Sequence, residues 1–354
     1  MTNQKIASLV AALVASLTIA CATGPSAGTG GSASPTASPV PSASTQPTAA
    51  PTASPTAAPE AAYLDDRSSA EQLIHSYYDA IGRRQYVRAY AYWEPSTTLA
   101  TYDTFAKGFA DTTAVQVELG TVGGNAGAGQ LYWSVPAAVF STTSAGPQYF
   151  VGCYTVHLAR PEIQAAPPFK GMLIPTGQLS AVASAAAARG GLASACGTAN
   201  ATPLPWGGAG TGVDAARYID DRSAGEVVIK SYYNAINRNE YTRAYGYWEA
   251  GAPGLAPFGT FAAGYTNTKS VTLLTKPGTT DAGAGQLFYS VPTVVTASNT
   301  DGSTTIFSGC YKLHLASPNI QATPPFQPLG IQSARIAQAA SGSNPNDLLS
   351  SACP

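Results

Sequence analysis

The chain predicts an α+β protein built from two tandem copies of one domain. Three observations carry that reading. First, the chain repeats itself. Tyr63-Leu64-Asp65-Asp66-Arg67-Ser68 returns as Tyr218-Ile219-Asp220-Asp221-Arg222-Ser223, and Trp93-Glu94 returns as Trp248-Glu249. The stretch GCYTVHLARPEIQAAPPF from Gly152 returns as GCYKLHLASPNIQATPPF from Gly309. Second, the spacing between matched residues creeps only from 155 at Tyr63 and Tyr218 to 157 at Cys153 and Cys310, so a whole domain is duplicated rather than a short solenoid unit. Third, helical periodicity comes first in each copy and strand alternation follows, the order of an α+β layout.

Residues 1–20 read as an export signal. Lys5 supplies a weak basic start, and residues 6–20 are apolar and uncharged but short for a membrane span. Thr18-Ile19-Ala20-Cys21 resembles a bacterial lipobox, which implies lipidation of Cys21 and attachment to a membrane. Cleavage after Ala20-Cys21-Ala22 is the competing pattern and would discard the cysteine. Residues 21–62 are almost wholly Ala, Ser, Thr, Pro and Gly, without an aromatic side chain before Tyr63. Such a composition cannot offset the entropy of ordering, so a disordered tether is expected. Residues 63–197 form the first repeat domain, 198–217 a Gly/Ala/Pro/Thr-rich linker, and 218–354 the second domain.

Within a copy, Ala70, Leu73, Ile74, Tyr77, Tyr78 and Ile81 share one helical face. Ser68 with Glu71, and Ser223 with Glu226, fit a capping box. Tyr86, Ala89, Tyr90 and Trp93 suit a second helix, matched by Tyr241, Ala244, Tyr245 and Trp248, and a third is expected over residues 102–110. After Val115, alternating runs such as Leu131, Trp133 and Val135, and residues 150–158 and 307–315, read as antiparallel strands. The segments AEQLIHSYYDAIGRRQYVRAYAYW and GEVVIKSYYNAINRNEYTRAYGYW, followed by the strands, resemble the nuclear-transport-factor-2-like superfamily. That resemblance implies a cone of about three helices on a curved antiparallel sheet. It does not select a function, because the superfamily holds isomerases, cyclases, dehydratases and non-catalytic modules.

Cys153, Cys196, Cys310 and Cys353 fall two to a copy, as expected of disulfides in an exported chain. Pairing within each copy is the simplest of three connectivities, each loop closure contributing ~4 kcal/mol in the chain-entropy view. C-x-x-C spacing and clustered histidines are missing, so no metal is expected. Period-two alternation places His157 and His314 on the polar strand face, a position for surface histidines rather than catalytic bases. Lys230 replaces His75 in the second copy, which suits a solvated helix face. The pairs Asp65-Asp66 and Asp220-Asp221 precede helices and are expected to favour the helix dipole, with Arg67 and Arg222 pairing with them or with carbonyls.

Nucleophile-elbow, zincin and phosphate-loop motifs are absent from the sequence, and neither a catalytic residue nor a cofactor is expected. Charged residues are only 10% of the chain at a net charge of −1, without a basic stripe, which argues against nucleic acid. Tyr78, Tyr90 and Trp93, with Tyr233, Tyr245 and Trp248, are the candidate pocket rings, on faces that either fill a core or wall a ligand. The expected function is a membrane-anchored extracytoplasmic lipoprotein that binds a small apolar ligand or an envelope protein. An isomerase or cyclase, and a structural spacer, are the alternatives. The polar strand face bearing Thr155, His157, Lys312 and His314 argues for weak packing between copies, each folding alone.

Overall fold

Leu73, Ile74, Tyr77, Tyr78 and Ile81 form the buried stripe of helix α1 (Ala70–Gly82), as their spacing requires. The structure, a computed structural model, describes residues 63–197 and 215–353. The signal segment 1–20, Cys21, the tether 21–62, most of the linker 198–217, and Pro354 lie outside the described residues. Helix α2 (Tyr86–Tyr90) buries Val87, Arg88 and Ala89. Helix α3 (Tyr102–Lys107) stops at Gly108, short of the expected 110, where glycine's poor helix propensity ends the run.

The sheet follows as β1 (Thr112–Leu119), β2 (Gly123–Gly127), β3 (Gln130–Thr143), β4 (Gly146–Ala159) and β5 (Leu173–Val182). The strands pair antiparallel in the order β1-β3-β4-β5, and Trp93 adds an isolated parallel bridge to Ile174 of β5. Strand β2 shares the β1 edge of β3, pairing at Gln130–Ser134 while β1 pairs further along. Ala128 and Gly129, with φ of 51° and 77°, make the tight β2–β3 turn in the left-handed region that such hairpins require. A short helix α4 (Ala185–Gly191), capped by Ser184, then packs on β3, β4 and β5. Sequence periodicity does not mark this helix, because its Ala-rich run carries no apolar stripe.

The second copy repeats the plan. Helices α5 (Gly225–Asn237), α6 (Tyr241–Tyr245) and α7 (Phe258–Ala263) precede β6 (Thr268–Thr275), β7 (Thr279–Gly283), β8 (Gln286–Asn299), β9 (Thr304–Ala316) and β10 (Gly330–Gln338). Helix α8 (Pro345–Ser351) closes it, with Asn344 as cap. The chain is thus α+β with two five-stranded antiparallel sheets. Disulfides Cys153–Cys196 and Cys310–Cys353 pin the end of each copy to its own sheet. Beside each cysteine sits a glycine that the strand crossing demands. A Cβ on Gly152 would lie 1.9 Å from the Gln178 carbonyl oxygen, and one on Gly309 1.8 Å from that of Arg335.

The two copies are in direct hydrogen-bonded contact. The copies meet through their opening segments rather than their polar strand faces. Asp66 and Asp221 form an antiparallel bridge. Arg67 N–H donates to the Asp220 carbonyl and Arg222 N–H to the Asp65 carbonyl, both at 2.7 Å. Ser68 and Ser223, expected to cap their own helices, instead accept from the Asp220 and Asp65 N–H groups of the opposite copy, each at 2.9 Å. Ser69 takes over as the cap of α1, accepting from Gln72 N–H, while α5 starts at Ala224 without a side-chain cap. The capping box fails because each hydroxyl finds a strand N–H across the junction.

Side chains cross as well. Tyr63 packs on Phe326, at 6.5 Å between centroids, and Tyr218 belongs to the core of the first copy. Thr242 donates to the Gln164 carbonyl and Gln85 to Asn319. Gln164 also clamps its own loop through the Ala159 and Lys170 carbonyls, and Gln321 does the same in its copy. The repeated segment ending in Pro-Pro-Phe is therefore a docking loop. Expressed separately, residues 63–197 and 215–353 should each be unfolded when dilute or self-associate through the uncovered junction. Sedimentation and thermal melting of both halves check this, and a cooperatively melting monomer of either half would contradict it.

Candidate functional site

Aromatic rings from α1, the end of α2 and β4 meet between helices and sheet. Tyr77 contacts Tyr78, Trp93 and Tyr154 edge-on, at 5.0, 5.9 and 6.2 Å between centroids. The Tyr78 and Tyr154 hydroxyls share a hydrogen bond of 2.6 Å, and burial pushes both phenols well above their usual range. The second copy repeats the cluster with Tyr232, Tyr233, Trp248 and Tyr311, joined by a 2.6 Å Tyr233–Tyr311 bond. Of the six rings expected as pocket walls, Tyr78, Trp93, Tyr233 and Trp248 are in these clusters. Tyr90 and Tyr245 are not. Tyr90 lies edge-on to Tyr102 and Phe105 and donates to the Ala100 carbonyl, and Tyr245 packs against Phe258 and Phe261. Phenols held neutral by burial can pack on one another and donate or accept a hydrogen bond.

His157 is half-buried on the strand face away from Tyr154, Val156 and Leu158, as alternation predicts. Its Nε2 faces Gln130 Oε1 at 2.7 Å and its Nδ1 faces Glu94 at 3.3 Å, with the ring stacked 4.7 Å from Tyr132. His314 repeats this with Gln286, Glu249 and Phe288. Both ring nitrogens are engaged, and no nucleophile joins either cluster among the described hydrogen bonds, so the arrangement ties the segment after α2 to the sheet. His75 is exposed, as expected. No group of His, Cys, Asp or Glu among the described residues is arranged to hold a metal ion.

The buried charges lie at the junction, where sequence reasoning assigned them to the helix dipole. Asp65 accepts from the Tyr63 and Tyr92 hydroxyls at 2.8 Å each and faces Arg67 at 3.5 Å. Arg67 lies 4.5 Å over the Tyr92 ring and also donates to the Met172 and Ala91 carbonyls. Asp220, Tyr218, Tyr247 and Arg222 repeat the pattern. The dipole reading fails for Asp65 and Asp220, which turn inward to phenols where low dielectric strengthens each bond, whereas Asp66 and Asp221 accept from the Ser68 and Ser223 N–H groups just before their helices, each at 2.8 Å. Burial opposes the charge on Asp65, yet Arg67, Tyr92 and Arg88 outweigh it and hold the carboxyl below its usual range. Asp66 and Asp221 shift the other way, raised chiefly by burial.

A folded-state value below the unfolded ~3.9 means Asp65 contributes stability above about pH 4, lost as pH falls through its folded value. Asp65→Asn should lower stability at neutral pH by about 3 kcal/mol. The gap from wild type should close under acid. Urea melts across pH check this, and a gap independent of pH would contradict it.

Two fully buried arginines sit beneath this junction, and each copy neutralises its own differently. Arg88 pairs with Asp79 on α1. In the second copy Asn234 stands at the Asp79 position, and Arg243 pairs instead with Glu240, just before α6, where the first copy has Gln85. Arg83 and Arg238 follow the same carboxylates. The acid has exchanged places between two positions that converge on one guanidinium, a relation hidden until the fold places them together. Asp79→Asn should cost about 3–5 kcal/mol by leaving Arg88 unpaired. Gln85→Glu should recover most of it, read as a coupling energy in a double-mutant cycle.

Comparison with protein-family models and with curated proteins finds no match. The disulfides fit an oxidising, extracytoplasmic compartment. No helix among the described residues is long and apolar enough to cross a membrane.

Proposed function

We propose that the chain is an extracytoplasmic lipoprotein, anchored through Cys21, whose two fused domains of nuclear-transport-factor-2-like type bind an envelope protein without catalysis. The observation that carries this reading is the aromatic interior. Tyr77, Tyr78, Trp93 and Tyr154 fill the space between helices and sheet in one copy, and their counterparts do so in the other. A small apolar ligand needs concave room there, and an isomerase needs a base aimed into it. The buried carboxylates Asp65 and Glu240 are committed to Tyr63, Tyr92 and Arg67, and to Arg238 and Arg243. The binding surface is then the exterior, held at the end of the tether.

The test has two arms. Wild-type protein should fractionate with membranes, and Cys21→Ser should release it or stall its processing. A fluorescent apolar probe such as anilinonaphthalene sulfonate should stay dark on the folded protein. Soluble wild-type protein would remove the anchor, and saturable probe binding at one site per copy would restore the ligand-binding reading.

A further inference from the structure

The two copies differ at one position that decides whether a sheet edge is occupied. Strand β6 is an edge strand of its sheet. Asn237, the last residue of α5, reaches that edge with its carboxamide. Its Nδ2 donates to the Val271 carbonyl at 3.0 Å, and its Oδ1 accepts from the Val271 N–H at 2.7 Å. The side chain thus makes the two-point contact that one residue of a neighbouring antiparallel strand would make with its own N–H and C=O. In the first copy the matching residue is Gly82, the last residue of α1. Val115 stands where Val271 does, paired with Ser141 as Val271 is with Ala297. By that shared register its N–H and C=O point out of the sheet, and those of Val117 do so two residues on.

No side chain among the described residues bonds the Val115 main chain. What borders it is a groove of about 480 Å³ lined by His75, Tyr78, Asp79, Gly82 and Arg83 of α1 and by residues 115–118 of β1. The groove is not a steric necessity. A Cβ on Gly82 would lie 3.7 Å from Val115 Cγ1, an ordinary contact.

We infer that this groove binds an extended, uncharged peptide segment of a partner protein, whose main chain pairs with Val115 and Val117 along the β1 edge. The second copy supplies the chemistry, since its own occupant of the edge is a carboxamide, which offers Val271 one donor and one acceptor as the N–H and C=O of a single strand residue would. The lining supplies the charge preference. Asp79 is paired with Arg83 and Arg88, and Glu118 with Arg189, so the carboxylates of the groove are already matched. Strand addition draws affinity from the main chain and selectivity from alternate side chains, and it suits a chain end presented to a partner. The inference names a partner class for the partner-binding reading above, but it can fail while the anchoring and dye results hold.

The probe is the neutral peptide acetyl-Thr-Val-Thr-Val-amide, titrated into the 15N-labelled full chain in detergent to about 10 mM, above the ~1 mM affinity expected of a few main-chain hydrogen bonds. The Val115 and Val117 amides should shift saturably and exchange hydrogen several-fold more slowly, with Val271 unchanged. Gly82→Asn should slow Val115 exchange without peptide and abolish the response. Asn237→Gly should create a response at Val271. Slowed exchange in Gly82→Asn with no peptide response in wild type would reduce the groove to a vacated packing position and overturn the proposal. A concentration-dependent shift of Val115 without peptide would overturn it too, by assigning the edge to a second copy of the chain.

Discussion

The reciprocal junction of the two opening segments governs the rest of the structure. Its main-chain bridge at Asp66 and Asp221 is short. Its consequences are not. Bringing Asp65 and Asp220 inward commits two carboxylates to burial, and burial of a charge is tolerable only with partners close by. Arg67 supplies the countercharge to Asp65, Tyr92 and Tyr247 give hydroxyls to Asp65 and Asp220, and Tyr63 and Tyr218 add a second hydroxyl to each. Each element then constrains its neighbours. Arg67 and Arg222 hold the Met172 and Leu329 carbonyls, just before the strands β5 and β10. The docking loops end at Phe169 and Phe326, and Phe326 receives Tyr63. Copies joined in this way share reciprocal main-chain and side-chain bonds across one junction within a single chain.

Against that shared frame the differences between the copies become informative. A buried guanidinium needs one acid, but the geometry offers two places for it, and each copy uses one. The exchange leaves its mark in the first copy. Gln85 Oε1 and Arg88 Nε are buried without a partner there, where the second copy has a carboxylate. Gly82 and Asn237 differ in the same region, at the ends of the paired helices α1 and α5. Each copy keeps its buried arginine paired with an acid, while the sheet edge beside it is met by Asn237 in one copy and by Gly82 in the other. Duplication has let one interface be kept and one surface diverge.

The aromatic interiors and the histidine clusters lie on opposite faces of the same strands. Tyr154 and Tyr311 close the ring clusters, whereas His157 and His314 brace the opposite strand face against Glu94 and Glu249. The residues shared by the two repeated segments divide the structural work among them. Glycine permits a close crossing, cysteine forms the staple, tyrosine fills the interior, histidine braces the strand and glutamine clamps the loop.

The sequence by itself determined what is local or periodic. The stripe at Leu73, Ile74, Tyr77 and Tyr78 shows a helix, because side chains three and four apart share a face. The alternation at Tyr154, Val156 and Leu158 shows which side of the strand His157 takes. Two cysteines per duplicated unit point to a staple within each. The junction was not legible, because Ser68 and Glu71 satisfy the pattern of a helix cap whether the hydroxyl serves its own helix or a strand 152 residues away. The carboxylate exchange at Asp79 and Glu240 and the open edge at Val115 were hidden for the same reason. Each is a relation between groups that have no periodicity in common and become neighbours only when α1 lies beside α2 and β1. Tertiary structure decided these, since a hydrogen bond or ion pair depends on distance and direction in space, which separation along the chain does not encode.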